Sequence, residues 1–474
     1  MHHAGVMTRK AAIDTALAFF DDGSYVEELS RRVAIRTESQ KPEQRPELYR
    51  YLEDEITLAF EAMGHDCRVY ENPEDGKGPV LLATRIEDEA LPTVLGYGHG
   101  DVIRGLEDQW NDGLSPWETV REGDCLYGRG TADNKGQHTI NMNAMRIAME
   151  TRGHLGFNSK FMVETGEENG SPGLHELVAE NKDDFEADVL IASDGPRVSP
   201  DRPTIFLGAR GVKNFDLVCD FREGGHHSGN WGGLLANPGI VLSHALASIV
   251  SETGRIQVRD WLPAPLPNSV KAALRGLTVG GGENAPEIDE SWGEPDLSPA
   301  EQVYGFNSFE VLAFKVGNPD RPVNAVPPRA WAHCQLRFIA DTDRDAIIPG
   351  LRHHLDEHGF DTVDVLPPPD MNAGDFGSTR TDPDNPWAVW AAASLERTTG
   401  APPAVIPQLG GSICNDIFTD ILGLPSIWVP HSYASCSQHA PNEHILLSEA
   451  RSAIELMTGL YWDLGEENTP ARRV

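Results

Sequence analysis

Four short apolar runs, at 79–84, 93–97, 160–163 and 189–192, alternate with stretches of helical periodicity such as 139–149 and 173–180. Strand-length runs separated by helices are the pattern of a mostly parallel α/β sheet with helices on its faces. Each run ends in a polar loop, and in such sheets ligands gather at the carboxyl ends of the strands. His99, the pair Glu167/Glu168, and Asp194 each fall at such an end. Three strand ends are therefore expected to face one site.

The flanking segments set the domain organisation. Residues 11–64 are helical in pattern, with Leu48, Tyr51, Leu52, Ile56, Phe60 and Met63 at threes and fours. Between about 211 and 373 the rhythm changes. Residues 212–221 and 330–338 alternate like half-exposed antiparallel strands, and helices are expected at 238–251 and 344–358. This predicts an inserted α+β domain over 212–372, in which 259–299, rich in Pro, Gly and acidic residues, is a long excursion. After 386 the first rhythm resumes: a helix at 387–399, a strand at 404–408, a helix at 416–423, a strand at 426–430 and a last helix at 448–464. The first domain is thus expected to be discontinuous, 1–211 and 373–474. A chain of 474 residues is longer than one core usually supports, which favours the same division.

Composition excludes several functions. With 73 acidic against 39 basic residues the formal charge is −34, which argues against nucleic acid or an anionic membrane surface as partner. No run of 18 apolar residues occurs, and the opening MHHAGVMTRK lacks a signal-peptide core. The six cysteines form no CxxC pair, so reduced thiols and a cytoplasmic location are expected.

The run VLGYGHGDV places His99 and Asp101 two apart at a strand end, where one can bind metal while the other steadies it. In LYGRGTADNKGQ, Asp133 stands before a helix, and capping is its plainer role. FMVETGEENGSPG crowds Glu167 and Glu168 together with no counter-charge, a crowding that a cation would relieve. IASDGP sets Asp194 at another strand end, and SCSQHAPNEH puts His439 in a loop. Any one of these has an ordinary structural explanation. Together, two histidines and three carboxylates make an N/O set that suits zinc, manganese or cobalt, and a carboxylate can bridge two ions about 3.5–4 Å apart.

The ordered set YGHGDV, LYGRGTADNKG, ETGEENGSPGL, SDG, HHSGNWGG, QLGGSI and QHAPNE resembles the carnosinase-type dipeptidases. These belong to the dinuclear metallopeptidase family that also holds aminoacylase, glutamate carboxypeptidase and succinyl-diaminopimelate desuccinylase. The resemblance implies a zinc-peptidase-like catalytic domain with an inserted lid and dimerisation domain. It implies two divalent ions, zinc in the first place with manganese or cobalt as alternatives. Asp133 would bridge them, His99 and Asp194 would complete one site, and Glu168 and His439 the other. Asp101 would support the cluster, and Glu167 would take a proton from the bridging water and pass it to the leaving amine.

The resemblance further implies a homodimer in which His227 of one subunit binds the oxyanion in the other's site. Arg337 would grip a substrate carboxylate, with Gly410, Gly411 and Ser412 receiving the same end through backbone N–H groups and Asn324 nearby. The substrate would be a dipeptide or an N-acyl amino acid, and Asp194 favours the dipeptidase side. Two departures bear on specificity: GGSIC with Cys414 in place of GGSIP, and an unusual run before His439. They suggest an atypical pocket lined by Cys414, His431, Tyr433 and Cys436, or drift in a loop. The alternatives are hydrolysis of a non-peptide C–N bond in a carbamoyl, aryl amide or amino group, and a non-catalytic binding protein of the same fold.

Overall fold

The computed structural model describes residues 8–279, 286–368, 375–466 and 468–470. At its centre is an eight-stranded sheet in the order Asp66–Tyr70, Val80–Arg85, Asn158–Glu164, Thr93–His99, Val189–Ala192, Ser426–Trp428, Thr204–Phe206, Ala404–Ile406. Thr93–His99 runs parallel to both its neighbours, and Ser426–Trp428 runs parallel to Val189–Ala192. The centre is thus parallel, as the alternation predicts. The margins differ: Val80–Arg85 is antiparallel to both Asp66–Tyr70 and Asn158–Glu164, and Trp428 pairs antiparallel with Phe206. The connection from Tyr70 to Val80 is a short loop with no crossover helix, which suits an antiparallel pair.

All seven residues of Thr93–His99 are buried, as expected for a strand covered on both faces. Alternate side chains enter different cores. Val94, Phe161, Val189 and Ile427 join a cluster with residues of the helices Arg9–Asp21, Lys135–Arg152 and Leu447–Leu464. Leu95, Met162, Leu190 and Trp428 join another with Leu174, Leu177, Ile417 and Phe418. The helix Lys135–Arg152 exceeds the predicted 139–149 because its first turns bury polar residues, Lys135, Gln137 and His138, which apolar periodicity does not register. The helix expected at 416–423 is a five-residue π-type turn, Ile417–Ile421.

A second sheet, antiparallel, orders Ser308–Val316, Arg329–Phe338, Gly211–Asp220 and Asp364–Leu366. Along Arg329–Phe338 buried residues alternate with more exposed ones, so one face supplies a core. That core joins Phe215, Leu217 and Leu336 to Leu242 of the helix Pro238–Ile249 and Leu351 of the helix Ile347–Glu357. The excursion begins inside it: Trp261 is fully buried and its Nε1 donates to the Ile347 carbonyl at 2.8 Å. Residues 280–285 of the excursion and the expected boundary at 372/373 lie outside the described residues. Among the described residues no helix is long and apolar enough to cross a membrane.

Candidate metal centre

His99 is the last residue of its strand, Glu167 and Glu168 open the turn that follows Asn158–Glu164, and Asp194 lies two residues past Val189–Ala192. The parallel register brings these ends level, pairing His99 with Glu164. Asp133 arrives from the loop before Lys135–Arg152. Asn134, not Asp133, holds the cap position, and the carboxylate turns away from the helix toward two imidazoles. Its Oδ1 lies 2.9 Å from His99 Nε2, and its Oδ2 lies 3.0 Å from His439 Nε2. The same His439 nitrogen is 3.0 Å from Glu168 Oε2, and His99 Nε2 is 3.8 Å from Asp194 Oδ2.

Two sets of donors result, His99/Asp133/Asp194 and Asp133/Glu168/His439, the atoms of each lying within 4.8 Å of one another. Asp133 belongs to both. The Asp133–Asn134 peptide bond is cis, and Asn134 Nδ2 donates to the Ser193 carbonyl at 2.8 Å, tying the Asp133 loop to the strand end that carries Asp194. Asp101 lies beside both His99 and the glutamate turn. His99 Nδ1 lies nearer its backbone carbonyl, at 3.1 Å, than its carboxylate, at 3.4 Å. The carboxylate instead accepts the backbone N–H groups of Glu167 and Glu168 at 3.2 and 3.1 Å, and the Ser39 hydroxyl at 2.7 Å.

The electrostatics follow from this crowding. Burial pushes the Glu167 carboxyl well above its ordinary range, against the pull of His99, and the charges of Asp194, Glu168 and Asp133 add to the push. Burial and the Asp133 charge raise Glu168 to about 7. Asp194 rises to about 6 through burial and the Asp133 charge, with His99 opposing. Burial also works on Asp133, but its bonds to His439 and His99 outweigh it and hold that carboxyl far below the usual range. His439 is raised to about 11 by its bonds to Asp133 and Glu168.

Four buried carboxyl groups crowd two imidazoles here, and that crowding favours protonation of Glu167, Glu168 and His439. Two imidazoles with three carboxylates are a donor set that suits divalent cations, and cations held there would relieve the carboxylate crowding. The His439 side chain is 55% exposed while Asp133 and Asp194 are 6% exposed, so the centre opens to solvent on the His439 side. Glu167 stands in neither donor set.

Residues 95–463 match the family model for peptidase family M20/M25/M40. The chain belongs to this peptidase family. Beta-Ala-His dipeptidase of Mus musculus is 33% identical over 354 residues, covering 70% of this chain and 70% of that one. Cysteinylglycine-S-conjugate dipeptidase of Corynebacterium striatum is 28% identical over 298 residues, covering 60% and 62%. The fold is also that of the M20 family metallo-carboxypeptidase Sso-CP2 from Sulfolobus solfataricus, with a TM-score of 0.78 at 22% identity over 93% of this chain and 99% of that chain. The protein is thus an enzyme, a metallopeptidase.

This peptidase also brings together residues from its two sheets. Arg337, on Arg329–Phe338, donates from Nη1 to Ser412 Oγ at 2.9 Å, and Ser412 donates to the Arg210 carbonyl at 2.6 Å. Arg210 Nε donates to the Gly410 carbonyl at 2.9 Å, and the space over the Gly411 Cα is open. Arg337 Nε donates to Gln335 Oε1 at 3.1 Å, and among the described residues no carboxylate pairs with this guanidinium. His227 and Asn324 lie together: His227 pairs with Ala325 across a two-stranded ladder and Ser228 N donates to the Asn324 carbonyl at 2.9 Å. Neither makes a hydrogen bond or ion pair with the donor residues of the same chain, among the described residues.

The suggested atypical pocket is not formed by the residues named for it. Cys414 is fully buried, its thiol 3.3 Å from Tyr97 Oη and 3.5 Å from Glu164 Oε1. His431 is fully buried behind the Asp194 strand, with Nε2 2.9 Å from Ser193 Oγ and 3.0 Å from Asn141 Oδ1. Cys436 is also fully buried, and Tyr433 Oη is spent on His444 Nε2 at 2.6 Å. A buried side chain that packs behind the site and one that lines it look alike in sequence. Asn134, Gln438 and Ser39 went unread as parts of the centre: the first two sit inside recognised motifs, while nothing in the sequence marks Ser39.

Proposed function

We propose that the protein hydrolyses the amide bond of a dipeptide, or of an N-acyl amino acid, that carries a free carboxylate. The observation that carries this reading is the pair of donor sets sharing Asp133, with Glu167 beside both and in neither. In it His99, Asp133 and Asp194 would hold one cation and Asp133, Glu168 and His439 the other, zinc before manganese or cobalt. Residues 1–211 and 373–474 form the catalytic domain and 212–372 the lid and dimerisation domain. The two dipeptidases to which the chain is similar support a dipeptide as substrate, and we infer a cytoplasmic location from the scattered cysteines without a CxxC pair.

Two divalent cations, once bound there, would supply Lewis acidity, polarising the scissile carbonyl and lowering the pKa of the attacking water. Glu167 takes the proton from that water and returns it to the leaving amine. Asp101 fixes the base by holding the N–H groups of Glu167 and Glu168. Arg337 and the Gly410–Gly411–Ser412 turn receive the substrate carboxylate. Arg337→Ala is expected to remove a charge-assisted bond of about 1.5–3 kcal/mol and so raise KM by about 10–100-fold for a dipeptide. The same substitution leaves KM for its C-terminal amide unchanged. Amine release across dipeptides, N-acyl amino acids and non-peptide amides, each with a chelated control, tests the assignment. Reaction of the non-peptide amides alone would overturn it.

A homodimer completes this site. Among the described residues His227 makes no hydrogen bond or ion pair with the donor residues of its own chain, so its task of binding the developing oxyanion falls in the site of a second copy. The strand Ser308–Val316 is an edge of the second sheet and exposes Val311, Leu312 and Phe314, while Ile240 on Pro238–Ile249 is exposed as well. An apolar sheet edge of this kind is a pairing surface. Phe314→Glu is expected to give a monomer by sedimentation, with kcat lowered about 100-fold through loss of His227. A monomeric wild-type enzyme at full activity would rule the dimer out.

A further inference from the structure

Besides the donor His439, the motif QHAPNE contributes one acidic residue, Glu443, and the mechanism above gives it no task. Glu443 is 1% exposed. Its Oε1 accepts three backbone N–H groups in one short stretch, Gly130 at 3.0 Å, Ala132 at 3.0 Å and Asp133 at 3.1 Å. Its Oε2 accepts Arg129 Nη1 at 2.8 Å, and its own carbonyl accepts Gly128 N–H at 3.0 Å. Successive N–H groups turned to one side form a concave anion cradle, and here the anion is a side chain of the same protein.

The consequence concerns two loops far apart in sequence. One ends in Asp133, and the other runs from His439 to Glu443. Loop 437–442 is bent, with Ser437, His439 and Asn442 at φ 57, 58 and 64, a region that residues other than glycine seldom occupy. Such a backbone persists only where its surroundings fix it. Glu443 supplies a fixed point four residues beyond His439, and Gln438, beside His439, donates to Asp133 Oδ2 at 2.6 Å. The carboxylate that joins the donor sets and the imidazole that completes one of them are therefore clamped to each other through Glu443.

We propose that Glu443 is the positioning residue of the cation pair: by gripping the backbone of 130–133 it sets the carboxylate of Asp133 toward both donor sets and keeps the His439 loop in register with it. This rests on the reading that Asp133 serves two cations. Outer groups that orient metal ligands commonly account for about 10–100-fold in metal affinity. Glu443→Ala removes every side-chain contact. Glu443→Gln keeps an oxygen for the three N–H groups but loses the charge and sets an amide donor against Arg129.

The test is titration of Co2+ into chelator-stripped full-length protein, read by heat and by the visible absorption of the bound ion. The wild type is expected to bind two equivalents, Glu443→Gln to bind about tenfold more weakly, and Glu443→Ala more weakly still, with altered absorption in both. A matched control is Glu449→Gln, which disturbs another buried carboxylate, 3.5 Å from Arg197 and, among the described residues, with no hydrogen bond or ion pair to a donor residue. It is expected to lower the melting temperature and leave Co2+ affinity and spectrum unchanged. If Glu443→Ala does not fold, Glu443→Gln carries the test. Wild-type Co2+ affinity and spectrum in Glu443→Gln, or an equal loss in Glu449→Gln, overturns the proposal. Failure of the wild type to bind two equivalents overturns instead the two-cation reading beneath it.

Discussion

Replacing Glu167 by glutamine is expected to lower kcat by about 10²–10⁴-fold, the usual share of a general acid–base group, while cation binding stays intact. The separation is possible because Glu167 lies in neither donor set. Its backbone is held by Asp101, so an isosteric amide leaves the turn in place. What glutamine cannot do is accept the proton of the attacking water. Glu168→Gln, one position along, is expected to weaken cation binding itself, because Glu168 Oε2 lies 3.0 Å from His439 Nε2 within a donor set. Steady-state rates and cation titrations on the two variants separate the roles. Unchanged turnover in Glu167→Gln would show that another group is the base.

Chelation is expected to abolish activity, and cation affinity is expected to depend on pH with a definite sign. Glu168 is raised to about 7, Asp194 to about 6 and His439 to about 11, so at pH 6 the imidazole and Glu168 are mostly protonated and Asp194 partly so, while at pH 8 only the imidazole is. Ligation requires the deprotonated forms, so binding expels protons and tightens as pH rises. Each proton released strengthens binding by about tenfold per pH unit, so between pH 6 and 8 the affinity should rise at least that much. Calorimetry in two buffers of different ionisation enthalpy counts the protons. The rise in melting temperature on adding cation should also be larger at pH 8 than at pH 6, since excess ligand at 100 times its Kd adds about 2.7 kcal/mol per site. Affinity that falls from pH 6 to 8 would contradict this arrangement of carboxylates.

The strand ends were legible because burial on both faces leaves apolar runs that stop where chemistry begins, as at His99 and Asp194. Asp133 was less so, since its place before a helix also suits a cap, and only coordinates show its carboxylate turned toward His99 and His439. The start of the helix from Lys135 is not legible in the sequence because its buried polar residues bond to backbone elsewhere rather than follow an apolar stripe: Lys135 Nζ donates to the Arg32 and Ile35 carbonyls. His431 and Cys414 stood out as unusual residues near the site, and both proved to be buried supports. Nothing in one sequence separates a side chain behind a ligand from one in front of it. Glu443 was hidden for a related reason: its partners are backbone N–H groups of a loop more than 300 residues away, and backbone donors have no letter in the sequence.

The most direct measurement is a crystal structure of the zinc-reconstituted protein with anomalous scattering recorded at the zinc edge. Two peaks about 3.5–4 Å apart are expected on either side of the Asp133 carboxylate, one by His99 and Asp194 and the other by Glu168 and His439. A single peak, or two that do not share Asp133, would contradict the assembly of this centre around one bridging carboxylate.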